Sequence, residues 1–141
     1  MIKKLTDELS VSPQIAPTDV AEIAARGFRS IISNRPDGEG ADQPSYVEIQ
    51  KAARELGLAT AYVPVSTGKV SASDVETFKS ALAELPKPVL AYCRSGTRCA
   101  TLWSLAEAGE RPLADILERT QHAGYDMSGV ASRIQRGAVA T

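Results

Sequence analysis

Short strand-like runs alternate with helical segments along this chain, and this alternation limits its fold more than any other feature. Residues 9–15, 28–33, 58–65 and 89–92 form runs of strand length, the later three rich in β-branched or aromatic residues. Strands that alternate with helices build a mostly parallel sheet with helices on both faces. We therefore predict an α/β fold of this kind.

Helix start signals lie between the predicted strands. Ser45 and Glu48 form an S-x-x-E pair, in which each side chain caps the backbone of the other, and Ser73 and Glu76 form a second pair. Proline at position 17 can begin an earlier helix, because the first helical position needs no N–H. Further helices are predicted over about 98–108 and from position 112 onward.

The length and composition indicate one compact domain without metal. We expect residues 1–141 to form a single domain, which ends from about residue 128 in a short helix and a frayed tail. The net charge of −1 gives no electrostatic reason to expect nucleic acid or an acidic membrane as partner. Two cysteines and one histidine are too few for a typical zinc site, and no long apolar run or signal peptide is apparent. We therefore expect a reduced, cytoplasmic protein with no metal or organic cofactor.

Three loops follow the predicted strands, at residues 34–40, 66–72 and 93–98. In parallel sheets, functional sites lie at the carboxyl ends of the strands, where such loops meet. The third loop has the sequence Cys-Arg-Ser-Gly-Thr-Arg, which carries the strongest chemical signal in the chain. A functional site is therefore expected around this loop.

The 93–98 loop has the composition of an anion-binding site with a nucleophile at its base. It joins a strand to a helix, so its backbone N–H groups can converge on one anion beside the positive end of the helix. Arginine guanidinium groups suit a tetrahedral oxyanion, and cysteine in such surroundings exists largely as the nucleophilic thiolate. We predict Cys93 and Arg98 as catalytic residues. The predicted substrate-binding residues of the loop are Arg94, Ser95, Gly96 and Thr97.

Three further residues are candidates for accessory roles. Arg35 follows a predicted strand and can reach an anionic substrate, although a surface arginine fits the sequence equally well. Asp37 lies in the same loop and either supplies a proton or only forms the turn. Cys99 either packs inward as a small helix residue, or accepts sulfur from Cys93 or forms a disulfide with it.

The loop resembles those of two enzyme families. Its sequence is similar to the rhodanese loop, Cys-Arg-x-Gly-x-Arg/Thr, and to the protein tyrosine phosphatase loop, Cys-x5-Arg, but is one residue shorter than the latter. Most of the chain, from position 2 to about 125, resembles the dual-specificity-phosphatase-like domain of the bacterial beta-lactamase hydrolase-like family. The matching segments are residues 27–32, 34–39, 62–65 and 89–103.

This resemblance implies a dual-specificity or tyrosine-phosphatase-like α/β fold. In that family the domain occurs alone or fused to a metallo-beta-lactamase-like domain of the persulfide dioxygenase type. Members are described as phosphatase-like, as sulfurtransferases, or as both. The resemblance therefore leaves the reaction open between sulfur and phosphoryl transfer.

Three details of the sequence favour sulfur transfer over phosphoryl transfer. The loop is shorter than that of the phosphatases. Ser66 and Thr67 stand where those enzymes carry the aspartate that protonates the leaving group, and thiosulfate needs no such acid because sulfite leaves readily. Tyr92 and Cys99 flank the loop where phosphatases have histidine and a hydroxyl residue. Asp74 is a possible substitute acid, but a position near a helix start explains it equally well.

We therefore predict a sulfurtransferase that moves sulfane sulfur from thiosulfate or a similar anion through a Cys93 persulfide. The acceptor would be a small thiol or sulfite. The first alternative is a phosphotyrosine or dual-specificity phosphatase, a hydrolase that acts through a Cys93 thiophosphate. The second is a non-catalytic module that binds anions or senses thiol oxidation.

Overall fold

A five-stranded sheet forms the centre of the computed structural model, which describes residues 1–140 and the side chains of residues 1–136. The strand order is β1-β2-β5-β3-β4; β1 runs antiparallel to β2, and the other neighbours are parallel. The predicted mostly parallel sheet is therefore confirmed. The strands are β1 (Lys3–Lys4), β2 (Leu9–Ser12), β3 (Ser30–Ser33), β4 (Ala59–Tyr62) and β5 (Val89–Tyr92).

Within residues 1–140, six α-helices flank this sheet, and a 3₁₀ turn, Pro17–Asp19, precedes the first of them. A second short 3₁₀ turn, Ser128–Val130, precedes the last. The helices are α1 (Val20–Ala25), α2 (Tyr46–Glu55), α3 (Ala72–Glu84), α4 (Thr97–Ala106), α5 (Leu113–His122) and α6 (Ala131–Ala140).

The core lies in two layers, one on each face of the sheet. Successive side chains of a strand point to opposite faces, so Ile31 packs in the layer with α1 and α2, while Ile32 packs in the layer with α3 to α6. Leu90 and Ala91 divide between the layers in the same way. The central strands β3 and β5 are buried throughout, which fixes the loops that follow them on a rigid support.

One prediction about local structure is wrong, and one strand was not predicted. The cap of α3 is formed by Ser71 and Asp74, not by Ser73 and Glu76: the Ser71 hydroxyl accepts the Asp74 N–H at 3.1 Å, and the Asp74 carboxylate accepts the Ser71 N–H at 3.0 Å. Aspartate replaces the expected glutamate, and the helix begins two residues earlier. The short strand β1 was not predicted, because its two exposed lysines show no apolar alternation.

None of the described helices combines the length and apolar character that crossing a bilayer requires. The cytoplasmic location and the extent of one domain over residues 1–141 stay predictions.

Candidate active site

The 93–98 loop connects β5 to α4 at the carboxyl edge of the sheet. Gly96 is the N-cap of α4 and has a φ of 95°, a left-handed conformation that favours glycine. This conformation turns the chain sharply and directs the loop inward. The first helical residue is Thr97, so the positive end of the α4 dipole faces the loop.

Cys93 lies at the base of this loop, and its side chain is fully buried. Its Sγ accepts the N–H of Gly96 at 3.1 Å, and the backbone N–H groups of Arg98 and Cys99 also stabilise the thiolate. A hydrogen bond from the Cys99 side chain, together with these amides, outweighs burial and lowers the pKa of Cys93 to about 5. Cys93 is therefore a thiolate at neutral pH.

Cys99 occupies the first turn of α4 directly beneath the nucleophile and is fully buried. Burial, followed by the neighbouring negative charge of Cys93, raises the pKa of the Cys99 thiol well above its ordinary value. The thiol therefore stays protonated and acts as the hydrogen-bond donor of the pair. Its place in the core agrees with the inward-packing interpretation of the sequence.

A bidentate ion pair holds the side chain of Arg98. Its Nη1 lies 2.7 Å from Oε2 of Glu39, and its Nη2 lies 2.8 Å from Oε1. Nη1 also donates to the backbone carbonyl of Val65 at 2.9 Å. The hydrogen bond from Arg98 lowers the pKa of the Glu39 carboxyl despite partial burial. Glu39 is therefore ionised at neutral pH and fixes the guanidinium in place.

Arg35 is a buried member of the same ion-pair network, with 7% of its surface exposed. Its Nε donates to Oε1 of Glu39 at 3.0 Å, and its Nη1 donates to Oε1 of Gln14 at 3.1 Å. These contacts exclude the surface-arginine interpretation. They place Arg35 beside Glu39, and its predicted contact with substrate stays a prediction.

These contacts bring together the three loops that were predicted to meet at the sheet edge. Glu39 belongs to the 34–40 loop, Arg98 closes the 93–98 loop, and Val65 immediately precedes the 66–72 loop. The sequence did not identify Glu39, since a glutamate in a loop rich in turn residues gives no local sign of a partner 59 positions away.

A pocket of about 570 Å³ opens beside the loop. The 93–98 loop contributes Arg94, Ser95, Thr97 and Arg98 to its wall. The other lining residues come from the 66–72 loop and from the segments around α4 and α6: Thr67, Gly68, Val70, Thr101, Val130 and Arg133. Arg94, Arg98 and Arg133 line the pocket, so it suits an anionic ligand.

Tyr125 supports the loop from outside. Its hydroxyl donates to the carbonyl of Ser95 at 3.1 Å, and a side-chain carbon on Gly96 would overlap this hydroxyl. Burial raises the pKa of Tyr125, so the hydroxyl stays a donor. Sequence reasoning missed this residue, because the contact joins positions 30 apart and follows no motif.

The two aspartates considered as proton donors, Asp37 and Asp74, each accept a hydrogen bond from a backbone N–H at the start of a helix. The Asp37 carboxylate accepts the N–H of Tyr46 at the start of α2, at 2.9 Å, and Asp74 caps α3. Thr67 lines the pocket at the position where an acid would stand in the phosphatases. An acid role for Asp37 stays a prediction.

A sequence model of the phosphatase-like domain of the beta-lactamase hydrolase-like protein matches residues 1–110. The chain is also 37% identical over 142 residues to the beta-lactamase hydrolase-like protein of Xylella fastidiosa, in an alignment that covers 99% of the chain. The chain belongs to this family. It spans 33% of the length of the Xylella relative. The resemblance stated from the sequence is therefore confirmed.

Solved structures support the same assignment. A candidate phosphatase from Neisseria meningitidis is 37% identical, with a TM-score of 0.87 and coverage of 96% of this chain and 97% of that one. Tk-PTP in its active form has a TM-score of 0.75 at 18% identity, covering 97% and 95% of the two chains, and this likeness shows the fold alone. The predicted dual-specificity or tyrosine-phosphatase-like fold is confirmed.

The prediction of a sulfurtransferase is wrong, because the matching family and the structural relatives are phosphatase-like. That prediction depended on the short loop and on the missing carboxylate at Ser66 and Thr67. Neither feature removes the thiolate or the fixed guanidinium on which phosphate binding depends. The short loop and the missing carboxylate therefore limit which substrates can react, and they do not exclude phosphate hydrolysis. Thiosulfate and a small thiol acceptor find no support in these comparisons.

Proposed function

We propose that this chain hydrolyses small phosphate esters through a covalent phosphocysteine at Cys93. The observation that carries the proposal is the Cys93 thiolate, which lies beneath converging backbone amides and beside a fixed arginine. The phosphatase-like family and fold support the same chemistry. The alternative named from the sequence, a cysteine-dependent phosphatase, thus becomes the main interpretation.

The loop would bind the phosphoryl group before any bond changes. Its backbone N–H groups and the α4 dipole favour an anion at this point. In the described contacts Arg98 uses both N–H groups of Nη1 and one of Nη2 for Glu39 and Val65, which leaves Nε–H and the second N–H of Nη2 to donate to phosphoryl oxygens. Glu39 and Arg35 act as positioning residues, because they hold the guanidinium in the orientation that binding requires.

Two displacements at phosphorus would complete the reaction. In the first, Cys93 Sγ donates an electron pair to phosphorus, and the bond from phosphorus to the ester oxygen breaks. In the second, water forms a new bond to phosphorus and passes a proton to the phosphate that is released, and the phosphorus–sulfur bond returns its electrons to Sγ. The low pKa of Cys93, about 5, assists this second step because a stabilised thiolate leaves without a proton.

The direct test is hydrolysis of 4-nitrophenyl phosphate by the wild type and by two variants. Cys93→Ser should lose roughly a thousand-fold or more in kcat, since an unactivated hydroxyl replaces the thiolate. Arg98→Lys should lose about a hundred-fold, because lysine cannot reproduce the fork that binds both Glu39 and a phosphoryl oxygen. Acid quenching with phosphorus-32-labelled substrate should trap labelled wild-type protein.

Arg54→Lys is the matched control, because Arg54 is exposed near the end of α2, at the opposite edge of the sheet. It should retain wild-type activity. Hydrolysis by Cys93→Ser at the wild-type rate would refute the proposal. Sulfur transfer from thiosulfate without any release of phosphate would also refute it.

A further inference from the structure

The described residues that line the 570 Å³ pocket include no aspartate, glutamate or histidine. Thr67 and Gly68 belong to this wall, and the resemblance to phosphatases assigns the acid of those enzymes to Ser66 or Thr67. A threonine hydroxyl cannot supply a proton near neutral pH. A leaving group that departs into this pocket therefore receives no proton from its wall.

The carboxylates that could serve as acids, those of Glu39, Asp37 and Asp74, are held in other roles. Glu39 is paired with Arg98 and Arg35, and these partners lower its pKa, so it carries no proton to donate at neutral pH. Asp37 accepts an N–H at the start of α2, and Asp74 accepts one at the start of α3. The site is thus built for a leaving group that departs as an anion.

Two arginines of the wall can receive that negative charge. Arg133, on α6, is half-buried, and its Nη1 donates to the carbonyl of Val70 at 2.9 Å, which holds the side chain against the pocket. Arg94 is exposed at the mouth, and its carbonyl accepts the N–H of Gln14 at 3.2 Å, which fixes its backbone. Guanidinium groups bind phosphate oxygens in bidentate fashion.

We propose that the substrates are phosphoanhydrides, in which the leaving group is itself a phosphate received by Arg94 and Arg133. This inference rests on the proposed phosphatase function and names its substrate class. A phosphate leaves as a stable anion and needs no protonation. Cationic side chains replace the missing acid by stabilising the charge that develops on the departing oxygen.

The bonds and charges balance without a further reactant besides water. Cys93 Sγ forms a bond to the terminal phosphorus while the bond from that phosphorus to the bridging oxygen breaks. The bridging oxygen keeps the electron pair and leaves as part of the second phosphate. Water then displaces Sγ from phosphorus, and its proton passes to the phosphate that is released.

The test compares three probes: inorganic pyrophosphate, phenyl phosphate and 4-nitrophenyl phosphate. Phenol has a pKa near that of tyrosine, about 10, so phenoxide leaves poorly without an acid. We expect kcat/KM for pyrophosphate to exceed that for phenyl phosphate by about a hundred-fold, the usual size of a missing acid contribution. Arg133→Met should lower kcat/KM for pyrophosphate about ten-fold or more, and that for 4-nitrophenyl phosphate by a clearly smaller factor, because the charge of 4-nitrophenolate is spread over its ring.

Arg136→Met, also on α6 and exposed, is the matched control and should change neither rate. A urea unfolding midpoint equal to that of the wild type would show that Arg133→Met is folded. Thr67→Asp introduces a carboxyl group into the pocket wall and should raise turnover of phenyl phosphate, by up to about a hundred-fold. An unchanged phenyl phosphate rate in Thr67→Asp would count against the inference.

The outcomes separate this inference from the proposed function. If 4-nitrophenyl phosphate is hydrolysed and pyrophosphate is no better than phenyl phosphate, the substrate class is wrong and the phosphatase remains. An equal loss with both substrates in Arg133→Met would also overturn the inference. If no probe shows turnover that depends on Cys93, the proposed function itself fails.

Discussion

The side chain with the largest effect on the nucleophile is that of Cys99. Its thiol is the leading cause of the low pKa of Cys93, ahead of the individual backbone amides. The two cysteines have different protonation states. Burial keeps the Cys99 thiol protonated, and its hydrogen bond stabilises the negative charge of the Cys93 thiolate. Cys99, for which the sequence left packing, sulfur acceptance and a disulfide open, therefore tunes the pKa of the reactive group from its packed position.

Replacement of Cys99 should move the titration of Cys93. In the wild type, the rate of alkylation by iodoacetate should rise with a midpoint near pH 5. Cys99→Ala removes the donor and should shift the midpoint to higher pH, whereas Cys99→Ser keeps a donor and should leave it near the wild-type value. The pH dependence of alkylation measures this directly. Identical midpoints in the wild type and Cys99→Ala would contradict this account of the pKa.

Glu39 should contribute to stability in a manner that depends on pH. Its pKa is lowered from 4.5 in the folded chain, chiefly by Arg98, so its contribution is present above pH 4.5 and is lost as the pH falls through the folded value. Glu39→Gln should reduce the free energy of unfolding at pH 7 by about 1–2 kcal/mol. This is less than for a fully buried pair, because Glu39 is 28% exposed.

Urea unfolding of the wild type and Glu39→Gln at pH 7, 5 and 3.5 measures this contribution. The difference between the two proteins should shrink at the lowest pH. Glu118→Gln, at an exposed position on α5, is the control and should show little difference at any pH. A difference between wild type and Glu39→Gln that stays constant from pH 7 to 3.5 would show that ionisation of Glu39 does not stabilise the fold.

The site residues that could be predicted from the sequence are those that occupy consecutive positions in the chain. The 93–98 loop carries its nucleophile, its glycine and its arginines in six consecutive positions, so its chemistry is apparent without a structure. Glu39 and Tyr125 could not be found in this way. Each meets the loop only because the sheet brings distant segments to one edge, and no local pattern marks them.

At the scale of single elements, Gly96 joins the loop to α4 and should tolerate no side chain. Gly96 and Gly27 have nearly the same φ, 95° and 97°, but an added carbon at Gly27 meets nothing within 4 Å. Gly27→Ala should therefore cost about 1 kcal/mol for its left-handed backbone alone. Gly96→Ala should cost more and abolish phosphatase activity, because the new carbon displaces Tyr125 or the loop.

Urea unfolding and 4-nitrophenyl phosphate hydrolysis of both variants separate backbone strain from the contact with Tyr125. Gly27→Ala should retain full activity, since it lies after α1 and away from the loop. Equal losses of stability in the two variants would mean that the contact between Gly96 and Tyr125 has no energetic role.

The start of α3 shows where element boundaries escape sequence reasoning. Ser71 with Asp74 and Ser73 with Glu76 have the same spacing, and either pair could cap a helix. The structure uses the earlier pair, which includes two more residues in the helix. The helices α2, α4 and α5 begin within a residue or two of their predicted positions, whereas a 3₁₀ turn occupies the predicted starts of α1 and α6.

For the whole molecule, the alternation of strands and helices was sufficient to predict the parallel sheet. It was also sufficient to predict that three loops would meet at one edge, because parallel strands all end there. It could not predict β1, a strand of two exposed lysines that pairs antiparallel with β2 at the margin of the sheet. Nor could it decide the reaction, because loop length and a missing acid constrain the leaving group more than the nucleophile.

The attachment of Arg98 to the carbonyl of Val65 has a consequence for how such chains diverge during evolution. A backbone carbonyl is present whatever side chain occupies position 65, and the anchor ends just before the 66–72 loop. Mutations within that loop therefore reshape one wall of the pocket while the anchor of the guanidinium persists. A lineage can in this way acquire new substrates by drift in one surface loop and inherit the reactive centre unchanged.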